Sequence, residues 1–236
     1  MKKHLITPCL VLLCTLFIPT TLHAKSVRVR VIDSDLAKLP FGAHEASALR
    51  WVDKKIEASF EPLLNAALDR SERAAVTQKM EAKKAQVRTG RVEFKGQKTG
   101  LENSVVSGEF VHEADETVIR YRADQTDHYL FFTSGKLWKY VRALKAQGTF
   151  AQRLEKQEKD FGSPTQERFE KQLVTEATWE GDRLLVTIRD LRNIYGIDLL
   201  LVVNKKMKVV ADTKRQDRAG EKNPKIDPEL QGILEN

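Results

Sequence analysis

Two clusters of histidine and carboxylate residues carry the chemistry that the sequence could support. The first comprises His112, Glu113, Asp115 and Glu116, and the second comprises Asp124, Asp127 and His128. Such groups can bind a hard metal ion, and a carboxylate beside an imidazole can orient a general base. Both clusters fall where short connections between strands are expected, however, and neighbouring residues on a strand point to opposite faces. Solvated turns are therefore the favoured interpretation of both clusters.

Neither cluster is part of a longer catalytic or cofactor-binding motif. The sequence contains no Gly-x-Ser-x-Gly elbow, no His-Glu-x-x-His zinc motif, no P-loop and no dinucleotide-binding fingerprint. The sequence therefore predicts a non-enzymatic protein with no cofactor and no metal.

Aromatic side chains are concentrated in residues 127–142, which are expected to form a hairpin. They are Tyr129, Phe131, Phe132, Trp138 and Tyr140. Trp138 and Tyr140 are two residues apart and are therefore expected on one face of the second strand. Core packing is the favoured interpretation of the hairpin. The alternative is a docking surface for a protein, a glycan or a lipid headgroup, and its candidate binding residues are Lys136, Trp138, Tyr140 and Arg142.

The first 24 residues have the pattern of a cleavable signal peptide. Lys2 and Lys3 give a positive start, an apolar run covers residues 5–18, and Ala24 offers a small residue for cleavage before Lys25. The run is shorter than the ~20 residues that span a bilayer, so an uncleaved anchor is the less favoured alternative. We expect export to the periplasm, with secretion as the alternative, and no membrane span after cleavage.

Cysteine content and charge limit the chemistry of the mature chain. Cys9 and Cys14 both lie in the signal peptide, so residues 25–236 hold no thiol for a disulfide, a soft metal or a nucleophile. Loss of Lys2 and Lys3 leaves 38 basic and 33 acidic residues, a net charge of +5. This mild, interspersed charge is consistent with attraction to an anionic envelope polymer. No basic stripe with interleaved aromatics is present, so nucleic acid is not an expected partner.

Helical periodicity runs from about residue 45 to residue 87. Apolar residues recur at helical spacing among charged ones: Leu49, Val52, Ile56 and Phe60. Pro62 is expected either to kink this helix or to lie in the first turn of a new one. The second half has a thin apolar stripe and is expected to lie on the sheet as a solvated helix; the alternative is a helix that projects from the body or pairs with another helix. Trp51 is one residue off the stripe, which places it beside the groove between helix and sheet if it is not in the core.

Period-two patterns predict two antiparallel meanders. The expected strands of the first unit are 27–31, 91–94, 104–112, 116–123, 128–132 and 137–144. A shorter helix follows, capped by Thr149 and ended by Gly162, and residues 165–171 are expected to add a helical turn. The expected strands of the second unit are 172–179, 183–191, 197–203 and 207–211.

These elements predict the α+β class, with antiparallel β-meander sheets packed by one long N-terminal helical segment and a shorter central helix. The predicted organisation is a signal peptide (1–24), a strand, long helix and first meander (25–144), a helix and second meander (145–212) and a charged, mostly flexible tail (213–236). The two helix–meander units form either one continuous domain or two related halves, although no residue-level repeat supports a relation.

Three functions are consistent with this sequence. The favoured one is an exported, non-enzymatic periplasmic binding or scaffold protein, a component of a cell-envelope assembly with envelope proteins as partners. The second is a periplasmic carrier or chaperone for a lipid or lipoprotein, which requires an apolar cavity between the sheet and the helices. The third and least favoured is an envelope hydrolase that uses Asp127 with His128, or His112 with Glu113.

Overall fold

An antiparallel sheet of eight strands, packed by helices on both faces, forms the described part of the protein. The computed structural model describes residues 38–123 and 125–220. The predicted signal peptide, the predicted strand at 27–31 and most of the predicted tail lie outside the described residues, as does Asp124. The helices are α1 (Glu45–Ala66), α2 (Arg70–Thr89), α3 (Phe150–Phe161), α4 (Arg192–Tyr195) and α5 (Lys205–Ala219). The strands are β1 (Arg91–Glu93), β2 (Glu116–Ala123), β3 (Thr126–Thr133), β4 (Lys136–Lys145), β5 (Gln166–Glu170), β6 (Leu173–Glu180), β7 (Leu184–Leu191) and β8 (Ile197–Asn204).

The two predicted meanders are the two halves of one sheet. The strand order is β1-β2-β3-β4-β8-β7-β6-β5, and all neighbouring pairs are antiparallel. β4 pairs with β8 at the centre, from Lys139 opposite Val203 to Lys145 opposite Ile197. The α+β class and the antiparallel meanders are therefore confirmed.

Each face of the sheet has its own core. Face A, which carries Tyr121, Leu130, Tyr140 and Val202, is covered by α1, α2 and α3. Face B, which carries Tyr129, Phe131 and Val141, is covered by α5 and by the segment 94–115. Alternation along the strands therefore decides which layer each side chain joins.

Helices α1 and α2 form a hairpin over face A. Ala48, Val52 and Ile56 bury the apolar stripe of α1. The helix continues through Pro62 for one more turn, and α2 starts afresh after Asp69, whose side chain accepts a hydrogen bond from the Glu72 backbone.

The second helix pairs with the first along its exposed length. Lys84 bonds Glu57 at 2.8 Å, and Arg88 bonds Asp53 at 2.6 Å. α2 contacts the sheet mainly near Val87, its one fully buried side chain. The favoured prediction of a helix lying on the sheet therefore holds only for the end of α2, and the alternative of pairing with another helix describes the rest.

A predicted strand of the first unit and a predicted helical turn of the second unit are wrong. Residues 104–112 form turns instead of a strand, because i→i+3 bonds such as Ser107 N to Ser104 O and Glu109 N to Val106 O replace a ladder. Residues 166–170 form the edge strand β5 instead of a helical turn. The turn into β6 places Lys171 and Gln172 at positive φ. Because neither residue is a glycine or an asparagine, the usual sequence signal for a hairpin turn is absent here.

The last predicted strand, 207–211, is also wrong. Asn204 accepts a bond from the Met207 backbone and so caps α5, and Met207, Val210 and Ala211 are buried at helical spacing. The helix continues to Ala219, so residues 213–219 of the predicted tail are helical.

No helix within residues 38–123 and 125–220 combines the length and the hydrophobicity needed to cross a membrane.

Candidate functional site

A β-bulge in β4 decides where the aromatic residues of the hairpin point. Leu137 lies opposite Phe132 and Lys139 lies opposite Phe131, so Trp138 is an extra residue in the ladder. As a result Trp138 packs in the core of face B, whereas Tyr140 packs in the core of face A. The prediction that Trp138 and Tyr140 share a face is wrong, because the bulge shifts the alternation between them by one residue.

The four candidate binding residues do not form one surface. Lys136 is buried at the start of β4, where the chain entering α1 pairs with it through His44. Trp138 is 2% exposed and belongs to the face B core. Tyr140 and Arg142 lie together on face A, where both line a cleft. The structure thus brings together two of the four.

This cleft lies between α1 and the adjoining ends of β2, β3 and β4. Its volume is about 700 Å³, and it is partly open to solvent. α1 contributes Trp51, Ile56 and Phe60, and the sheet contributes Tyr121 and Tyr140. The prediction that Trp51 lies beside the groove between helix and sheet is confirmed. We call this site the α1 cleft.

The polar groups of the α1 cleft are centred on His128. Its Nδ1 atom lies 2.6 Å from the Tyr140 hydroxyl, and its Nε2 atom lies 3.1 Å from the Thr126 hydroxyl. The Tyr121 ring stacks on the imidazole with 4.7 Å between ring centroids. Hydroxyl partners on both nitrogens and a stacked ring fix the orientation of His128, which is 7% exposed.

Four cationic side chains also line the α1 cleft: Lys55, Lys83, Arg122 and Arg142. Lys55 lies over the Trp51 ring, 5.7 Å from its centroid. Lys83 donates to Gln86 at 3.2 Å. The described lining residues include no carboxylate, so the walls of the cleft combine aromatic surface with positive charge.

The histidine–carboxylate clusters of the sequence do not assemble into a pair. Asp127 and His128 are neighbours on β3, so their side chains diverge, and Asp127 bonds Arg120 at 3.1 Å. His112 lies on the face B side, 3.1 Å from Glu102 and edge-on to Phe94 and Phe110.

The carboxylates near His112 are engaged elsewhere. Glu113 bonds Arg218 at 3.2 Å, and Glu116 binds Arg215. Backbone N–H groups of the Thr99–Glu102 turn lower the pKa of Glu102 to about 2. Among the residues that the structure describes, no group of three or more histidines, cysteines or carboxylates could hold a metal ion.

A buried charge network ties the segment 94–115 to face B. Lys139, 2% exposed, donates to the Glu109 carboxylate at 2.9 Å, and Arg189 binds the same carboxylate at 2.8 Å. Burial lowers the pKa of Lys139 to about 8, against the opposing effect of Glu109. Burial alone would raise the pKa of Glu109, but Lys139 and Arg189 outweigh it and lower that pKa. This network holds the segment 94–115 against face B.

Comparison of the chain with protein-family models, with curated proteins and with solved structures found no match. Functional interpretation therefore depends on the geometry of the site itself.

Sequence reasoning missed most of the α1 cleft. In the sequence His128 stands out only as part of the cluster with Asp124 and Asp127, and Lys55 and Lys83 are two of many charged residues in the helical tract. Strand pairing places His128 opposite both Tyr121 and Arg142. A periodicity argument assigns residues to a face, but it cannot say which strands become neighbours. The signals present in the sequence were Trp51, a large aromatic residue off the buried stripe, and Tyr140 and Arg142 in the aromatic hairpin.

Proposed function

We propose that the protein is an exported, non-enzymatic carrier that binds an amphiphilic small molecule in the α1 cleft. The observation that carries the proposal is a cleft of about 700 Å³ lined by aromatic side chains between a helix and the sheet. Small-molecule sites typically have volumes of about 300–1,000 Å³ and mostly apolar walls with a few polar groups. The α1 cleft has this size and this mixture, with His128 and Tyr140 as the buried polar pair.

The energetics favour a ligand with an apolar chain. Trp51 and Phe60 are only partly buried, so the empty cleft leaves part of their apolar surface in water. Covering such surface contributes about 25 cal/mol per Å². A single alkyl chain laid along Trp51 and Phe60 would gain this contribution.

The carrier is favoured over the scaffold because Trp138 and Tyr140 do not form the exposed aromatic surface on which the docking interpretation depended. Trp138 and Tyr140 are 2% and 3% exposed, so neither offers its ring to a protein partner. The periplasmic location remains part of the proposal and is supported by the signal-peptide pattern of residues 1–24.

Tryptophan fluorescence tests the proposal directly. The protein has three tryptophans, and Trp138 and Trp179 are buried, so a ligand in the α1 cleft should alter the emission of Trp51. Titration with a ten-carbon amphiphile should give a saturable change in the wild-type protein. The Trp51→Phe variant should show no such change, whereas Trp138→Phe should keep it. Absence of any saturable change in the wild-type protein would contradict the proposal.

A second candidate function, a scaffold that binds an extended segment of an envelope protein, is favoured by the edge strand β5. All five residues of β5 are exposed, among them Phe169 at 59%, and Leu173 at the start of β6 is 72% exposed. Among the described residues β5 is the last strand of the sheet, and an edge of this kind with apolar side chains can accept a further strand.

Site-specific crosslinking tests this second candidate. A photocrosslinking residue at position 169 should give one discrete adduct in the native envelope, and Leu173→Lys should abolish it. A crosslinker at Glu155, on the solvent side of α3, is the control. Equal adducts from positions 169 and 155 would rule out a specific edge partner.

A further inference from the structure

We infer that the ligand of the α1 cleft carries an oxyanion head group, a carboxylate or a phosphate, which Arg142 binds. This inference rests on the proposed carrier function and names the chemistry that the same cleft would recognise.

The position of Arg142 follows from strand register. Arg142 lies directly opposite His128 in the β3–β4 ladder, so the two side chains share face A. Tyr140, two residues before Arg142, also lies on face A and bonds His128. Arg142 therefore stands on the same face as the polar centre of the cleft, whose wall it helps to form.

Arg142 has an unsatisfied donor at this position. Its Nε atom is shielded from solvent and has no hydrogen-bond partner within the described residues. A guanidinium presents five N–H donors in a planar fork and cannot lose its proton to escape the cost of burial. An incoming oxyanion would supply the missing acceptor, and it would do so in the two-pronged geometry that guanidinium groups share with carboxylates and phosphates.

The remaining charges of the cleft act in the same direction. Lys55 comes from α1, Lys83 from α2 and Arg122 from the end of β2, so positive charge reaches the cleft from three further elements. The described lining residues include no carboxylate. A field of this sign favours an anion over a neutral or cationic head group.

The aromatic and cationic parts of the cleft together define one ligand class. Trp51 and Phe60 offer apolar surface on α1, and Arg142 offers the oxyanion contact on the sheet. A single-chain amphiphile with an anionic end, such as a fatty acid or a monoalkyl phosphate, meets both requirements.

Calorimetric titration with three ten-carbon ligands separates this inference from the function on which it rests. The ligands are decanoate, decyl phosphate and decanol. We expect at least one of the two anions to bind about ten- to a hundred-fold more tightly than decanol, the range of a charged hydrogen bond. Arg142→Gln should remove this preference by lowering the affinity for the anions, and Arg142→Lys should retain part of it. Arg168→Gln, a charge-matched variant on the far edge strand β5, should bind all three ligands as the wild-type protein does.

The outcomes are distinct. Preference for one anion supports the inference and identifies the source of the head group as a carboxylate or a phosphate. Equal affinity for all three ligands in the wild-type protein overturns the inference while the carrier function stands. Absence of binding by any ligand overturns both. Wild-type preference that persists in folded Arg142→Gln protein, with folding verified by circular dichroism, also overturns the role of Arg142.

Discussion

The hydroxyl of Tyr140 lies 2.6 Å from Nδ1 of His128, between two strands at the floor of the α1 cleft. Removing that hydroxyl leaves a buried imidazole nitrogen without this partner. We expect Tyr140→Phe to lower the free energy of unfolding by about 1–3 kcal/mol, measured by urea denaturation.

A matched control exists for this change. The Tyr195 hydroxyl makes only long bonds, 3.3 Å, to the carbonyls of Asn103 and Ser104, and its side chain is 39% exposed. Tyr195→Phe should therefore shift the free energy of unfolding by less than about 0.5 kcal/mol. Equal effects of the two substitutions would show that the His128–Tyr140 bond contributes no more to the free energy of unfolding than the long bonds of Tyr195 do.

Asp198 is expected to be the most sensitive charged position in the sheet. The carboxylate is fully buried on β8 and accepts bonds from Arg153 at 2.9 Å and from Arg192 at 2.6 Å. Asp198→Ala leaves two guanidinium groups without their shared anion and should cost about 3–5 kcal/mol of unfolding free energy. Glu155→Ala, which breaks the exposed pair with Lys159, should cost less than about 0.5 kcal/mol in the same assay. A small loss of unfolding free energy in Asp198→Ala would mean that water solvates Arg153 and Arg192 as well as the carboxylate does.

The buried Lys139 predicts a pH dependence of stability. Burial lowers its pKa from the ordinary 10.5 to about 8, while Glu109 and Glu116 oppose the change and Arg215 adds to it. Between these two pKa values the unfolded chain binds more protons at this site than the folded chain. The contribution of Lys139 to the free energy of unfolding therefore rises with pH from about 8 to about 10.

A comparison with Lys139→Met isolates this contribution from that of other titrating groups. The difference in unfolding free energy, wild type minus variant, should increase between about pH 7.5 and pH 10. A difference that stays constant or falls across this window would show that the folded lysine titrates normally.

Much of the fold could be predicted from the sequence, because the signals are local. The bounds of β2 were predicted correctly, and the cap at Thr149 and the stop at Gly162 of α3 follow from short-range hydrogen-bonding chemistry. The central position of β8 follows from its dense apolar run.

The remainder depends on contacts that a linear pattern does not contain. The bulge at Trp138 arises from the register between β3 and β4, and it reverses the face of every later side chain in β4. The segment 104–112 alternates like a strand but folds into turns that bury Val106 and Phe110 on face B. The α1 cleft requires strand neighbours as well as strands, so Tyr140 and Arg142 could be singled out but not placed together with His128.

Export makes a simple prediction for the mature protein. If residues 1–24 are removed before Lys25, protein recovered from the periplasmic fraction should have Lys25 as its first residue. N-terminal sequencing or intact mass measurement checks this, and Ala24→Arg, which blocks the cleavage pocket, should leave uncleaved precursor. Full-length protein in the cytoplasmic fraction would contradict export.

Native mass spectrometry with decanoate tests the carrier account most directly. Ala58 is exposed on α1 and lines the α1 cleft, so Ala58→Trp should fill the cleft without disturbing the core. Ala75→Trp, on the exposed surface of α2, is the matched control. We expect a single-ligand adduct in the wild-type protein and in Ala75→Trp, and its loss in Ala58→Trp. Absence of an adduct in the wild-type protein, or an equal adduct in Ala58→Trp, would contradict the carrier account.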